Sequence, residues 1–176
     1  MLACRHTGVV EIRPPMPLLN LRHSVRAIVL DDQDRILLCR FALQSRVVWA
    51  TPGGGIEPGE TPHAALRREL HEEIGLVLDG TPPHVWHRRV VEPGYVSGYD
   101  GAIQDDFLVR TAAFQPNGAL SRDQLAAENI TDFRWWQLAE ITNYQGPDLF
   151  GPRDLADPLT TLIKDGVPDQ PLKLGL

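Results

Sequence analysis

A proline followed by three glycines, at positions 52–55, stands shortly before a segment with a helical pattern. Proline fixes one backbone angle and glycine tolerates conformations that other residues avoid, so this run predicts a loop. A helix over 62–74 follows, in which Thr61 suits the N-cap and Pro62 the first helical position. Gly75 suits the C-terminal cap. The chain is therefore expected to hold a glycine loop directly against the start of a helix.

This helix carries three glutamates, Glu69, Glu72 and Glu73, within roughly 100° of its circumference. Like charges at these spacings repel by about 0.2–0.5 kcal/mol per pair, and the helix dipole is negative at this end. Arg68 can offset part of the repulsion, and the face is open to a second interpretation as an exposed surface of Arg–Glu pairs. A divalent cation would relieve all of these terms, because hard cations prefer carboxylate oxygens. An apolar stripe beside this face predicts packing on a sheet: Leu66, Leu70 and Ile74.

Other segments alternate between strand-like and helix-like patterns, which predicts a mixed α/β domain. Strands are expected over 25–30, 36–40, 85–91, 107–114 and 133–136, with the first two forming a hairpin. Ser121 with Gln124 resembles a capping box that opens a short helix. A last helix is expected over 152–164. We divide the chain into an N-terminal arm (1–20), one domain (21–165) and a Pro-containing C-terminal tail (166–176).

The segment around the helix resembles the Nudix box. Five residues separate Gly54 from Glu60, and seven more separate Glu60 from the run Arg68-Glu69-Leu70-His71-Glu72-Glu73-Ile74-Gly75-Leu76. Every defining position of the box is matched, and such a match is far more specific than a lone glycine motif. The flanking segments 49–54 and 133–136 are also similar to the family, so the resemblance covers residues 25–136.

The resemblance implies a fold, a reaction and a set of site residues. The Nudix fold is a mixed β-sheet sandwiched between α-helices. The metal ligands would be Glu69, Glu72, Glu73 and the Gly53 carbonyl, holding Mg²⁺ or Mn²⁺. The loop would be held against the helix by Gly54, Glu60 and Arg68. The reaction would be attack by water on a phosphorus of a diphosphate linkage in a nucleotide-like substrate.

Similar hydrolases often bring a further glutamate from a loop late in the chain, as ligand or general base. Glu128 is the best candidate here, because it lies shortly before the predicted strand at 133–136. Asp105 and Asp106 compete for that role, since they precede the strand predicted at 107–114.

The substrate is left open by the sequence. Arg40 and Arg46 could contact phosphates, and Tyr95 could stack on a base. The Ser-Gln-Pro-Trp run of the NADH-cleaving subfamily is absent. In similar proteins, a proline shortly after the box is typical of ADP-ribose hydrolases, and a tyrosine is typical of dinucleoside polyphosphate hydrolases. This chain has both Pro93 and Tyr95 near that position, so the marker does not identify the substrate.

Two other functions compete with hydrolysis. A non-catalytic nucleotide sensor usually loses box carboxylates, and this chain has lost none. A diphosphate isomerase would need a cysteine in the pocket, whereas Cys39 lies in an apolar stretch typical of a core residue.

Composition limits partners and location. A net charge of −6 argues against broad binding to nucleic acid. We find no apolar run long enough for a bilayer, and expect no membrane partner. Two cysteines give neither a disulfide framework nor a zinc site by spacing, so the cytoplasm is the expected compartment. The N-terminal arm could pair across a two-fold axis, which makes a homodimer possible.

Overall fold

The computed structural model describes residues 18–92 and 95–175, which form a nine-stranded mixed sheet with four helices. In chain order the elements are β1 (Leu21–Leu30), β2 (Ile36–Leu43), β3 (Arg46–Ala50), β4 (Gly53–Gly55), α1 (Pro62–Ile74), β5 (His84–Val91), β6 (Gly101–Arg110), α2 (Arg122–Ala127), β7 (Ile130–Trp136), α3 (Leu138–Thr142), β8 (Leu149–Gly151), α4 (Ala156–Asp165) and β9 (Leu172–Leu174). The main path of the sheet runs β8-β3-β2-β1-β6-β5-β9, while β4 pairs with β1 and β7 with β2.

Strand β1 explains why helices cover both faces of the sheet. Successive side chains of a strand point to opposite faces, and almost every position from Val25 to Leu30 is apolar. One face packs on α1, where the shared buried cluster consists of Val25, Ala27, Val29, Leu66, Leu70 and Ile74 with neighbouring side chains. The opposite face packs on α4, in a second cluster that includes Ile28, Leu30, Leu159 and Leu162. The predicted sandwich of a mixed sheet between helices is confirmed.

The predicted hairpin of β1 and β2 is present, but the two strands stay paired only beside the turn, at Leu30 and Ile36. Beyond that point β1 pairs in parallel with β6 along its whole length and also with β4. Strand β2 pairs instead with β3 and β7. The sheet therefore branches between β1 and β2. Strand β4, which consists of glycines and is called the glycine strand below, lies on the β1 side of the branch.

Helix α1 has the predicted bounds, and both ends are closed as expected. The Thr61 hydroxyl accepts a hydrogen bond from the Ala64 backbone N–H at 3.2 Å. At the other end Gly75 has a φ of 74°, the left-handed conformation that ends helices and favours glycine. The capping box of Ser121 and Gln124 is likewise formed at the start of α2.

The glycine run is not a loop, which corrects the prediction for residues 53–55. These residues form β4, an antiparallel partner of β1 in which Gly53 lies opposite Arg26 and Gly54 opposite Val25. Backbone pairing needs no side chain, so a glycine run can complete a ladder wherever the neighbouring chain leaves no room for a Cβ. Gly53 shows this, because a Cβ there would overlap the backbone of Val25 and Arg26.

Several other boundaries also differ from the prediction: β1 begins at Leu21 rather than residue 25, and β7 at Ile130 rather than residue 133. Strand β6 begins at Gly101 and ends at Arg110, earlier at both ends than predicted. The sequence pattern did not predict the first half of β6, because residues 104–106 are polar. Their backbone nevertheless pairs with both β1 and β5. The last helix begins at Ala156 rather than residue 152. The segment assigned to the tail adds β9 to the sheet, parallel to β5, because three residues suffice for edge pairing.

Two sequence predictions fall on residues that the structure does not describe. The N-terminal arm is described only at 18–20, so most of the segment proposed to pair in a dimer lies outside the described residues. Pro93 also lies outside them. Within 18–92 and 95–175, none of the helices combines the length and the apolar character needed to cross a bilayer.

Candidate metal and catalytic centre

Three carboxylates from two separate helical segments meet at one point. Glu69 and Glu73 lie on α1, and Glu128 follows the last residue of α2. Each offers one oxygen atom, and these three atoms lie within 4.8 Å of one another. The side chains differ in exposure, since Glu69 and Glu73 are buried whereas Glu128 is exposed.

Local backbone structure brings Glu128 to this point. The helix α2 ends at Ala127, and Asn129 then takes a positive φ of 66°, a conformation that asparagine tolerates better than most residues. This turn leads directly into β7, which pairs with β2 in the middle of the sheet. Glu128 thus lies between a capped helix and a strand that pairs with β2.

Glu73 is a carboxylate without a full counter-charge of its own. Its Oε2 accepts a hydrogen bond from the Gly53 backbone N–H at 2.8 Å. Burial raises the pKa of Glu73 to about 8, opposed by the nearby Arg26 charge and the Gly53 hydrogen bond. The neighbouring carboxylates of Glu69 and Glu128 also contribute to this raised pKa. A buried group of this kind gains greatly from an added cation.

Glu69 has a similar environment with one stronger partner. Burial raises its pKa, and the Arg68 guanidinium, 2.7 Å away through Nη1, works in the opposite direction. The Glu128 and Glu72 charges add to the upward shift. The Glu69 carboxylate lies against the Gly54 backbone, in the space where a Cβ at position 54 would be.

Arg68 links the glycine strand, the following loop and the helix. Its Nη2 donates to the Gly55 carbonyl and to Glu60 Oε2, both at 2.9 Å. The hydrogen bond from Arg68 lowers the pKa of Glu60. Arg68 Nη1 also lies 3.4 Å from Glu72 Oε2. Glu72 is half-exposed and lies outside the group formed by Glu69, Glu73 and Glu128.

The donor set fits a hard divalent cation. All three grouped side chains offer carboxylate oxygens, which suit Mg²⁺ and Mn²⁺ better than softer metals. Burial raises the pKa of both Glu69 and Glu73, so each would be stabilised in its ionised form by a cation. The Gly53 contact that the structure shows here is its N–H to Glu73, so a ligand role for its carbonyl stays a prediction.

A cavity of about 500 Å³ has one of these carboxylates at its wall. Glu73 lines it, together with the loop before α2, with α2 itself and with the start of β7. Arg122 and Thr131 are among its lining residues. Arg40 is not among the lining residues, but its Nη1 donates to the hydroxyl of the lining residue Thr131 at 3.3 Å. A cavity of this size can receive a small organic ligand such as a nucleotide.

The other predicted substrate residues lie elsewhere. Arg46 begins β3, opposite Leu43 across the turn from β2, and is exposed. Tyr95 is exposed in the segment between β5 and β6. Neither lines the cavity beside Glu73, and their roles stay predictions.

The two competing aspartates have other surroundings. Asp105 lies 2.7 Å from His87 and 3.0 Å from His84 through one oxygen. Asp106 is buried and accepts both of its hydrogen bonds from the Gln104 amide at 3.0 Å. Neither belongs to the group formed by Glu69, Glu73 and Glu128.

Arg26 is a component of the site that the sequence reasoning missed. Its charge lowers the pKa of both Glu73 and Asp106, and its guanidinium lies over the Phe41 ring, 5.4 Å from the centroid. The available signal was an arginine within the otherwise apolar run Val25–Leu30, because a partly buried charge usually has a specific partner.

Comparisons with known proteins show the family and the fold of this chain. A family model described as NUDIX domain matches residues 20–154. A nucleoside triphosphatase NudI of Klebsiella pneumoniae (strain 342) is 31% identical over 119 residues, covering 66% of this chain and 82% of that protein. Another NudI, from Klebsiella pneumoniae subsp. pneumoniae, is 28% identical over 130 residues, covering 70% and 89%.

Solved structures show the same fold. The MutT protein of Methanosarcina mazei Go1 superposes with a TM-score of 0.59 at 18% identity, covering 84% of this chain and 96% of that chain. The E. coli ORF135 protein gives a TM-score of 0.60 at 24% identity, covering 85% and 96%. The chain belongs to the Nudix hydrolase family.

Proposed function

We propose that this protein is a metal-dependent hydrolase that cleaves the diphosphate linkage of a nucleoside diphosphate derivative by attack of water at phosphorus. The observation that carries the proposal is the meeting of Glu69, Glu73 and Glu128, one of which, Glu73, also lines a cavity of about 500 Å³. Two of these carboxylates are buried, and burial raises the pKa of both. The ionised form of a buried carboxyl group is unfavourable unless a cation neutralises its charge.

The box glutamates would hold the metal. Glu69 and Glu73 face the centre directly, and Glu72 would complete the set by a side-chain rotation from its half-exposed position. The Gly53 carbonyl is the remaining proposed ligand. A bound Mg²⁺ or Mn²⁺ would polarise the phosphate oxygens and neutralise their charge. Arg68 would act as a positioning residue, because its bonds to Glu60, Glu69 and Gly55 fix the helix against the glycine strand.

Glu128 is the proposed general base. Its carboxylate is exposed, so a water molecule can reach it, while its oxygen lies with those of Glu69 and Glu73. In the proposed step the water oxygen bonds to phosphorus, the bridging P–O bond breaks, and Glu128 takes the water proton. A positioned base of this type contributes typically 10²–10⁴-fold to the rate.

Nucleoside triphosphates are the substrate class to test before others. The curated relatives at 28% and 31% identity carry the name nucleoside triphosphatase. Arg122 lines the cavity and Arg40 contacts the lining residue Thr131, and both could receive phosphate oxygens in a protein whose net charge is −6. Arg46 for phosphate contact and Tyr95 for base stacking are weaker candidates, because neither lines the cavity.

The test is Mg²⁺-dependent release of phosphate or pyrophosphate from a panel of nucleoside triphosphates, ADP-ribose, coenzyme A and dinucleoside polyphosphates. We expect turnover of at least one class, its loss on chelation, and its recovery with added Mg²⁺ or Mn²⁺. Turnover that survives the chelator would contradict the metal dependence. Tight binding of a nucleotide with no turnover in any class would favour the sensor alternative instead.

The isomerase alternative receives no support from Cys39. Its thiol is fully buried, and burial raises its pKa well above the ordinary value. A catalytic thiol needs access to substrate and a thiolate form, and Cys39 has neither.

A further inference from the structure

A second group of potential metal ligands lies on strands of the sheet. It is separate from α1, the helix that carries the Nudix box and is called the box helix below. His84 and His87 belong to β5, and Asp105 belongs to the adjacent antiparallel strand β6. Asp105 Oδ1 lies 2.7 Å from His87 Nδ1 and 3.0 Å from His84 Nε2. One ligand atom from each side chain lies within 4.8 Å of the other two.

Two imidazoles that approach the same carboxylate oxygen form a pre-arranged ligand triangle. Zinc binds imidazole nitrogen at about 2.0–2.1 Å and carboxylate oxygen at about 2.0–2.2 Å, so tetrahedral ligands lie roughly 3.3 Å apart. The observed oxygen–nitrogen separations of 2.7 and 3.0 Å would have to widen by roughly 0.6 and 0.3 Å. The two ring nitrogens lie within 4.8 Å of each other. Side-chain rotations would have to supply the change.

The backbone and a stacked ring hold the triangle in place. His87 and Asp105 are directly opposite each other in the β5–β6 ladder. The His84 ring stacks on Phe107, with centroids 5.1 Å apart and an interplanar angle of 29°. All three side chains are between one fifth and one third exposed, with values of 32%, 33% and 22%. An ion can therefore reach them, and a water molecule could take the fourth position.

The proton balance of binding is simple. With both histidines neutral, His87 Nδ1 and His84 Nε2 carry the protons that face Asp105, and His84 Nε2 also lies 2.8 Å from the Trp86 carbonyl. When an ion binds, each proton moves to the other nitrogen of its ring through solvent, which frees one lone pair per ring. No net proton would be released. The hydrogen bonds from His84 and His87 to Asp105 and the His84 contact to the Trp86 carbonyl would be lost, and the three bonds to the ion would replace them.

We propose that His84, His87 and Asp105 form a transition-metal site of the Zn²⁺ class, separate from the carboxylate centre of Glu69 and Glu73. The two donor sets differ in kind. Imidazole suits Zn²⁺, Cu²⁺ and Ni²⁺, whereas a purely carboxylate set suits Mg²⁺ and Mn²⁺. The site joins β5 to β6, so the bound ion stabilises this end of the sheet.

The test is calorimetric titration of the full chain with ZnCl2 in excess Mg²⁺, which occupies the carboxylates. We expect one Zn²⁺ per chain and an increase in melting temperature with Zn²⁺. His84→Gln, His87→Gln and Asp105→Asn should each weaken Zn²⁺ binding by at least about tenfold, because each removes one of three ligands. His23→Gln, which changes an exposed histidine on β1, should bind Zn²⁺ as the wild type does.

A second measurement separates a lost ligand from a lost fold. Two-bond ¹H–¹⁵N spectra of the histidine rings should show that added Zn²⁺ shifts His84 Nε2 and His87 Nδ1 most. The metal-free variants should retain the wild-type circular dichroism spectrum. The proposal is overturned if wild-type protein takes up no Zn²⁺ under these conditions. It is equally overturned if Zn²⁺ binding survives in His84→Gln and His87→Gln but is lost in Glu73→Gln, because the ion would then belong to the carboxylates.

Discussion

The carboxylate of Glu69 fills the space that a β-carbon on residue 54 would need. The glycine strand and the box helix therefore approach each other more closely at this point than any other residue at position 54 would allow. Gly53, one residue earlier, has a different constraint: its φ is +129°, and a Cβ there would meet the backbone of Val25 and Arg26. A substitution at residue 54 would therefore disturb the Glu69 side chain, whereas a substitution at residue 53 would disturb the backbone of β1. The effects of the two substitutions can be measured separately.

Gly54→Ala should reduce activity far more than stability. The added methyl group displaces only the Glu69 side chain, so the backbone can stay in place while a proposed metal ligand moves. We expect at least a tenfold loss in kcat/KM, on the scale of a lost catalytic group. The loss of unfolding free energy should be no more than ~1–2 kcal/mol. Urea denaturation and Mg²⁺-dependent hydrolysis measured on the same preparation check both parts.

Gly53→Ala is the matched control, because the same methyl group now meets backbone in a left-handed conformation. Such a conformation costs a non-glycine residue about 1–3 kcal/mol, and the overlap adds to it. The expected order is thus that Gly53→Ala loses more stability than Gly54→Ala. If Gly54→Ala kept wild-type turnover, the close approach of β4 to Glu69 would have no catalytic purpose.

Glu73→Gln should keep the fold and lose most activity. Glutamine has nearly the same shape but no charge, so it weakens metal binding without leaving a cavity. It also removes a buried charge, so the metal-free variant should be at least as stable as metal-free wild type at pH 8. Added Mg²⁺ should raise the melting temperature of the wild type, because ligands that bind only the native state stabilise it, but not that of the variant.

The control for this experiment is Glu57→Gln, an exposed glutamate in the loop before α1. It should respond to Mg²⁺ as the wild type does. An equal Mg²⁺-induced shift in Glu73→Gln would show that the ion binds elsewhere.

Glu128→Gln should lower kcat by at least about tenfold with little change in stability, because an exposed carboxylate contributes little packing. Asp123→Asn is its control: it changes an exposed acid on the same short helix and should leave kcat unaltered. If Glu128→Gln behaved like Asp123→Asn while Asp106→Asn or Asp105→Asn lost activity, the general base would be one of the two aspartates. If none of these substitutions lowered kcat, the glutamates of the Nudix box alone would be the catalytic residues.

The parts of the fold that follow local rules could be predicted from the sequence. Helix α1 is one, because Thr61 and Gly75 set its ends and its apolar stripe sets its buried face. The first half of β6 could not be predicted, because its polar residues 104–106 break the apolar pattern of a strand. Their contacts explain them: Asp105 pairs with two histidines of β5, and Asp106 accepts hydrogen bonds from Gln104. Strand β4 was missed for a related reason: glycines carry no side-chain pattern, so only the close approach of β1 reveals the pairing. Arg26 was missed because its partners are distant in sequence.

The last prediction concerns the stability of the metal-free protein between pH 4 and 7. Burial raises the pKa of Asp106 from 3.8 to about 6, opposed by its hydrogen bond from Gln104 and by the charges of Arg88 and Arg26. The folded protein therefore binds this proton more tightly than the unfolded chain does. The resulting stabilisation is fully present below pH 3.8 and is lost as the pH rises through about 6.

Asp106→Asn removes this titration and keeps an oxygen that accepts from Gln104. As the pH rises from 4 to 7, the wild type should lose unfolding free energy relative to the variant, by on the order of 1–3 kcal/mol. Above pH 7 the difference should be constant. Urea denaturation at several pH values in EDTA measures it, with Asp32→Asn, an exposed aspartate in the β1–β2 turn, as the control. Parallel stability curves for wild type and Asp106→Asn across this range would mean that Asp106 is ionised in the folded protein throughout it.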